Sequence, residues 1–412
     1  MKKNAILVIL AQCINYALPL IIFPILARRL GVEFFGIFGF IFSVVGYMCL
    51  IVDYGFNMGG TKILSEKLAS FQPVSDDFWA IWLAKFLIFT FMFIVFLVFG
   101  KLWLTSLEYW LIFISFMQVL GYILNVNWYF QANEKVGIST ILLVIGKALS
   151  LPLFLIYVQD KGDISKAVLI QSGSILFASL LTMILLFSDK NIGKIKLESL
   201  KLIIYYYKDS WAYFVGILAI SFYTGSSLIL LKYFGTIEDV GLYNAADKIK
   251  MALLGLFLIL GSVFFPYVSK LYSSNILIAY KFVKKLLIAS IIIGGLTSFF
   301  VFLFADLIIN IVLGTEYQKA SRILQILSPN FIFILISVLL CNYILVPLGH
   351  KRLYYLIPTF TGFFYFCISI PLIKCYGAVG AAIASLISEV IGLLILGYFS
   401  YFYGYFVKII KA

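Results

Sequence analysis

The chain has 412 residues, 63% of them hydrophobic and only 12% charged, with a formal net charge of +13. An ordinary water-soluble domain carries about 25% charged residues. Composition therefore excludes a soluble enzyme, and it leaves no soluble surface on which the basic excess could meet nucleic acid.

An α-helix rises about 1.5 Å per residue, so about twenty apolar residues cross a hydrocarbon core about 30 Å thick. Twelve such runs are predicted, near 5–27, 34–56, 78–100, 107–130, 138–158, 165–187, 211–234, 241–268, 282–304, 322–347, 353–373 and 377–403. Met1-Lys2-Lys3 and the run behind it could pass for a secretory leader. That run far exceeds an h-region of about 7–15 residues, however, and Ala27-Arg28-Arg29 offers no small-residue cleavage site, so it is expected to stay as the first helix. The breaks between runs are short, and the longest, 188–210, is too short for a soluble domain. Its 196–207 stretch mixes Lys and Glu with Leu and Ile and reads as a helix lying on the membrane surface. The expected organisation is an all-α polytopic membrane protein. A six-helix bundle over 1–187, an interfacial linker over 188–210 and a second six-helix bundle over 211–412 would surround a central cavity.

Orientation follows from the basic residues. With both termini in the cytoplasm, eighteen of the 31 Lys and Arg fall inside and nine outside, the other four lying within runs. The net charge is then mostly topology plus attraction to anionic headgroups. The cysteines Cys13, Cys49, Cys341, Cys367 and Cys375 lie in or at the ends of apolar runs and read as packing residues. His350 stands in a short basic turn with no ligand partners around it in the sequence.

The chain also repeats itself. Arg28-Arg29-Leu30-Gly31-Val32-Glu33-Phe34-Phe35-Gly36 is echoed by Lys232-Tyr233-Phe234-Gly235-Thr236-Ile237-Glu238-Asp239-Val240-Gly241, base, glycine, acid and glycine recurring in order. Gly162-Asp163-Ile164-Ser165-Lys166-Ala167 before the sixth run faces Gly377-Ala378-Val379-Gly380-Ala381-Ala382 before the twelfth. Two similar halves of this kind mark carriers that expose a midplane site alternately to each side.

Ionisable groups inside hydrocarbon cost several kcal/mol unless they face a cavity or a partner, which makes embedded charges the functional candidates. Lys147 lies deep in the fifth run, with no acid in its own run to neutralise it. The eighth carries Asn244, Asp247, Lys248 and Lys250; Asp247 and Lys250 share one helix face, Asn244 and Lys248 a neighbouring one. An internal ion pair bracing this helix is the alternative to a cavity role. Lys85 in the third run either snorkels to the interface or faces the cavity. Asp53 and Glu389 are the remaining embedded acids and, with Asp247, the candidates for ion coupling. Gln12, Asn15, Tyr16 and Pro19 form a polar stripe along the first run, and Gln118, Tyr122, Asn125 and Tyr129 another along the fourth. Such stripes either glue helices together or line a wet cavity. The seventh run offers Tyr223, Ser226 and Ser227 instead. Ammonium groups suit phosphate oxygens, while amides and aromatics suit sugars. No phosphate-binding loop, nucleophile elbow, Cys–His pair or metal-ligand cluster occurs in the sequence, so no cofactor is expected.

Several pieces together carry a resemblance: Ala27-Arg28-Arg29-Leu30-Gly31 through Gly36, Asp53-Tyr54-Gly55-Phe56-Asn57, Asn127-Trp128-Tyr129-Phe130-Gln131-Ala132-Asn133-Glu134-Lys135, Val240 through Ile249, and Leu313-Gly314-Thr315-Glu316-Tyr317 leading to Ser328-Pro329. In their order and spacing the chain resembles, over essentially its whole length, bacterial O-antigen flippases of the Wzx type, within the multidrug, oligosaccharidyl-lipid and polysaccharide exporter superfamily. The resemblance implies export of an undecaprenyl-pyrophosphate-linked oligosaccharide across the bacterial inner membrane, alongside a polymerase and a chain-length regulator. One departure is Asp247, where relatives tend to show Glu. On this reading Lys147, Lys248 and Lys250 would meet the pyrophosphate, and Gln12, Asn15, Asn125 and Tyr223 the glycan. The rivals are a multidrug or cation antiporter on the same fold, in which embedded acids should dominate, and a membrane glycosyltransferase or polymerase, which needs a larger outer loop.

Overall fold

In hydrocarbon every backbone N–H and C=O must find its partner within the chain, and a helix does this locally. Accordingly, every regular element is helical in the computed structural model, which describes residues 2–189, 191–193, 200–350 and 352–411. The chain divides into two compact units, one of 1–30 with 37–218, the other of 31–36 with 219–412. The first contains most of α1 (Lys2–Asp53), then α2 (Phe56–Ala69), α3 (Ser75–Trp103), α4 (Ser106–Leu124), α5 (Asn127–Ala132), α6 (Val136–Ala148), α7 (Ser150–Tyr157), α8 (Ile164–Leu186) and the greater part of α9 (Leu200–Gly225). The second holds α10 (Ser227–Phe234), α11 (Ile237–Ser274), α12 (Ile276–Leu303), α13 (Ala305–Val312), α14 (Ala320–Leu327), α15 (Asn330–Leu339) with a π-helical turn at Leu340–Leu345, α16 (Leu353–Phe402) and α17 (Tyr405–Lys411).

Among the described residues, eight helices are long and apolar enough to cross a membrane, or up to nine if the bent pair Leu200–Phe222 and Ser227–Phe234 is one span. This makes the chain a multi-pass membrane protein, though the count does not reach the expected twelve. Part of the difference is physical. Ala17–Ala69 and Leu353–Phe402 each count once, yet each runs through a break, at Gly31 (φ 70°) and Gly377 (φ 56°). A positive φ costs glycine nothing and other residues a good deal, so the chain bends there without losing its helical ladder on either side.

The break at Gly377 leaves the N–H groups of the arm behind it without helical partners. Asp239 answers one of them: its Oδ1 accepts from the Ala378 N–H at 2.9 Å. The same carboxylate, through Oδ2, accepts from the Thr236 hydroxyl at 2.7 Å and closes the capping box that starts α11.

In the first unit, small residues let helices approach closely. A Cβ on Gly121 of α4 would stand 2.9 Å from the Leu176 backbone of α8, and one on Gly146 of α6 would collide with Ala178 of α8. The described part of the predicted surface helix is the start of α9, and it packs into this unit rather than lying apart from it. Tyr206 is buried, donating its hydroxyl to Asp77 at 2.6 Å, and Tyr207 donates to the Ala84 carbonyl at 2.7 Å.

In the second unit Gly36 and Gly241 face each other, a Cβ on Gly36 falling 2.7 Å from the Gly241 nitrogen and one on Gly241 striking the Val32 carbonyl. Gly241→Ala is therefore expected to lower stability by about 1–3 kcal/mol through overpacking. Gly295→Ala, with nothing within 4 Å of the added methyl, should leave the melting temperature in detergent almost unchanged, and that pair of melts is the check.

Candidate functional site

Lys147 lies one residue before the end of α6 and its side chain is accessible. Its ammonium donates to Asn15 Oδ1 of α1 at 3.0 Å, so the first unit brings together two of the predicted site residues. The chain around it is fixed independently of that ammonium. Gly146 seats α6 on Ala178, and the Ser150 hydroxyl takes the Lys147 carbonyl at 2.6 Å where the helix breaks. The partner of Lys147 is thus a neutral amide.

Lys85 has a different environment, and snorkelling does not describe it. Its side chain is 1% exposed, and its ammonium donates to Asp53 Oδ1 at 2.9 Å and to Asn57 Oδ1 at 3.1 Å. The Trp128 ring centre is 5.6 Å away. The Asp53-Tyr54-Gly55-Phe56-Asn57 motif explains the geometry. Tyr54 (φ 47°) and Gly55 (φ 76°) turn the chain out of α1 into α2, so that carboxylate and amide, four residues apart, converge on one lysine. Tyr54 is held there by stacking on Phe214, ring centres 4.6 Å apart. Taking two charges out of water is costly, and only this close pairing offsets it.

In the second unit, α11 presents Asp247 and Lys250 on one face, and they form an ion pair at 2.7 Å with both side chains largely buried. The aspartate thus pairs with Lys250, three residues on, while Lys248 is half-buried within electrostatic reach of it. Asn244 is fully buried and donates to the Phe35 carbonyl at 3.2 Å. Beside them runs a chain of hydroxyls: Tyr243 donates to Ser227 at 3.1 Å, and Ser227 and Tyr365 meet at 2.8 Å. Glu389 interacts electrostatically with Lys250 and lines a cavity of about 210 Å³ with Ser337, Asn342, Thr361 and Ser388. Among the described residues the hydroxyls of Ser337 and Ser388 have no hydrogen-bond partner. One wall of the cavity is the π-helical turn, which supplies Cys341 and Asn342; such turns frequently occur at functional positions.

Of the other predicted residues, Asn125 ends α4 and its Oδ1 accepts from the Asn127 N–H at 3.1 Å, which makes it a turn former as well as a polar side chain. The side chains of Gln12 and Tyr223 lie outside the described residues. Arg29 has a structural task that the sequence did not disclose. One of its guanidinium nitrogens caps the end of α7, donating to the carbonyls of Phe154 at 3.0 Å, Leu155 at 2.9 Å and Val158 at 2.5 Å.

Comparison with known proteins agrees with this architecture. The family described as "Polysaccharide biosynthesis protein" matches residues 1–272. A protein of Escherichia coli (strain K12) named "Putative O-antigen transporter" is 31% identical over 398 residues, covering 94% of this chain and 94% of its own. Its namesake from Shigella dysenteriae is 30% identical, covering 95% and 98%. Among solved structures, the lipid II flippase MurJ in an inward closed conformation superposes with a TM-score of 0.73 at 16% identity, covering 97% of this chain and 87% of MurJ. An inward-facing multidrug resistance transporter of the MATE family superposes with a TM-score of 0.73 at 14% identity, covering 93% and 94%. These two establish a shared fold. With two-thirds of its length matched by one family and full-length relatives above the level of chance likeness, the chain belongs to the polysaccharide biosynthesis protein family.

Proposed function

We propose that the chain is a flippase for undecaprenyl-pyrophosphate-linked oligosaccharide, carrying O-antigen or related repeat units from the cytoplasmic to the periplasmic leaflet of the bacterial inner membrane by alternating access. The observation that carries this reading is the contrast among the embedded lysines. Lys85 and Lys250 are each neutralised by an aspartate, whereas Lys147 is held by the neutral Asn15. An ammonium at that depth held by an amide rather than a carboxylate faces water rather than lipid, and it suits a pyrophosphate. Asn15 beside it, with Gln12, Asn125 and Tyr223, would take the sugar hydroxyls. Lys248 and Lys250 are secondary contacts for the pyrophosphate, Lys250 only if it leaves Asp247. Both termini would be cytoplasmic, and a polymerase and a chain-length regulator would act on the exported units. The full-length relatives named as O-antigen transporters support the same substrate class.

Deletion of the gene tests the proposal. Surface polymer should disappear, and single lipid-linked units should accumulate on the inner leaflet with drug susceptibility unchanged. Intact surface polymer together with heightened sensitivity to cationic drugs would favour the multidrug reading instead.

Of the three coupling candidates, Asp53 and Asp247 already hold lysines, which leaves Glu389 as the carboxylate facing a cavity. Glu389→Gln is expected to reduce transport in proteoliposomes under an imposed proton or sodium gradient to the rate seen without one. Undiminished gradient-driven transport would remove Glu389 from coupling.

A further inference from the structure

Basic residues gather at one end of the second unit with no acid near them in sequence. The last turns of α11, the first turns of α12, the start of α16 and α17 meet in a single apolar cluster that includes Tyr272, Tyr280, Val283, Leu353, Tyr405 and Ile409. Flanking these residues along the chain are Lys270, Lys281, Lys284, Lys285, Arg352 and Lys408. All but Lys284 are exposed. Asp and Glu are absent from 248–305, from 317–388 and from 390–412. Asp306 follows the far end of α12, and Glu389 lies well inside α16.

Elsewhere lysines stand beside acids: in the second unit itself Lys250 pairs with Asp247 and Lys319 with Glu238 at 2.8 Å, and the first unit does the same. Lys67 pairs with Asp77 at 2.6 Å and Lys135 with Asp189 at 3.5 Å. Membrane topology asks only for an excess of Lys and Arg and is little affected by acids, so it does not explain why acids accompany Lys67 and Lys135 while the stretches that carry this rim have none. The imbalance also has a local cost. Lys281 and Lys285 are four apart on α12, a spacing at which like charges repel. An external anion removes that repulsion.

The fold holds the basic rim in place. His350 Nε2 meets the Tyr405 hydroxyl at 3.0 Å, and its ring stacks on Tyr403 with centres 3.8 Å apart. This fixes the Gly404 turn (φ 70°) and with it α17, which buries Ile409 and exposes Lys408. Tyrosines of this kind are at home at the membrane–water interface.

We propose that this rim is a docking surface for the headgroups of anionic phospholipids in the adjoining leaflet. The charges are distributed over the ends of four helices, α11, α12, α16 and α17, rather than gathered around one point, which matches several phosphodiester monoanions. A single pyrophosphate calls for convergent donors in a cavity, and the Glu389 cavity of this unit is lined by none of these lysines. The inference is independent of the substrate and would hold for any carrier on this chain.

The test equilibrates the full-length protein in vesicles of equal phosphatidylglycerol and phosphatidylcholine, extracts it in neutral detergent and counts retained lipids by native mass spectrometry. The wild type should retain phosphatidylglycerol preferentially. A Lys281→Gln, Lys285→Gln, Lys408→Gln variant should lose that preference, by about fivefold per lysine. The same three positions changed to Arg should keep it, which separates charge from folding. Removal of equal charge from the first unit, by Lys62→Gln, Lys201→Gln and Lys208→Gln, should leave the preference intact. Equal retention of both lipids by the wild type overturns the proposal, as does an equal loss in both glutamine triples. Displacement of phosphatidylglycerol by inorganic pyrophosphate, but not by sulfate at the same ionic strength, also overturns it by making the rim a substrate site. Because lipid counting involves no transport, a negative result here leaves the flippase reading untouched.

Discussion

Lys147→Ala is expected to abolish surface display of the polymer while the protein remains in the membrane at its normal level. A hydrogen bond to a charged group contributes about 1.5–3 kcal/mol, so losing the pyrophosphate contact lowers export by about 10- to 150-fold. The scaffold should not notice the change. Gly146 against Ala178 and the Ser150 hydroxyl on the Lys147 carbonyl both act through other atoms, and Asn15 is only half-buried, so water replaces its lost donor. Lys147→Arg keeps the charge and should retain a measurable part of the activity. Asn15→Ala leaves the ammonium in place without its positioning partner, and display should fall less than with Lys147→Ala. Surface polymer on gels, set against membrane abundance by immunoblot, decides the matter; full display with Lys147→Ala removes this residue from the site.

Much of the fold was legible because the solvent is legible: long apolar runs broken by glycine, proline and charge can only be membrane helices. The number of helices was harder, since a break such as Gly31 or Gly377 costs one residue of irregular φ and leaves the hydrophobic run almost seamless. Within the site, the face shared by Asp247 and Lys250 was readable, because helical spacing places residues three apart side by side. The meeting of Asn15 with Lys147 was not, for the two are 132 residues apart and no local pattern links them. The same holds for Arg29 at the end of α7 and for the Tyr243–Ser227–Tyr365 hydroxyls. Lys85 is the clearest case. Its distance from the end of its run made snorkelling a fair alternative, and only the left-handed turn at Tyr54 and Gly55, which carries Asp53 and Asn57 toward it, decides against that. The turn motif itself was visible in the sequence; its target was not.

Breaking that pair is expected to have a large effect on the stability of the first unit. Asp53→Asn leaves the Lys85 ammonium buried beside two amides, and Lys85→Met leaves the Asp53 carboxylate buried beside one; each should cost about 3–5 kcal/mol, the usual result of stranding one member of a buried ion pair. Low membrane abundance and an early melt in detergent are the expected readouts for both. The double variant Asp53→Leu with Lys85→Met removes both charges and fills similar volume, and such replacements are often neutral or stabilising, so abundance and melting should return close to the wild type. If either single variant melts with the wild type, the pair does not hold the end of α1 to α3 as the 2.9 Å contact implies. Transport by the double variant then assigns the pair its role. Restored stability with full display makes Asp53 and Lys85 scaffolding alone and strikes Asp53 from the coupling candidates. Restored stability without display means that the charge itself is used in the cycle, since packing and fold would both be in order and only the titratable pair would be missing.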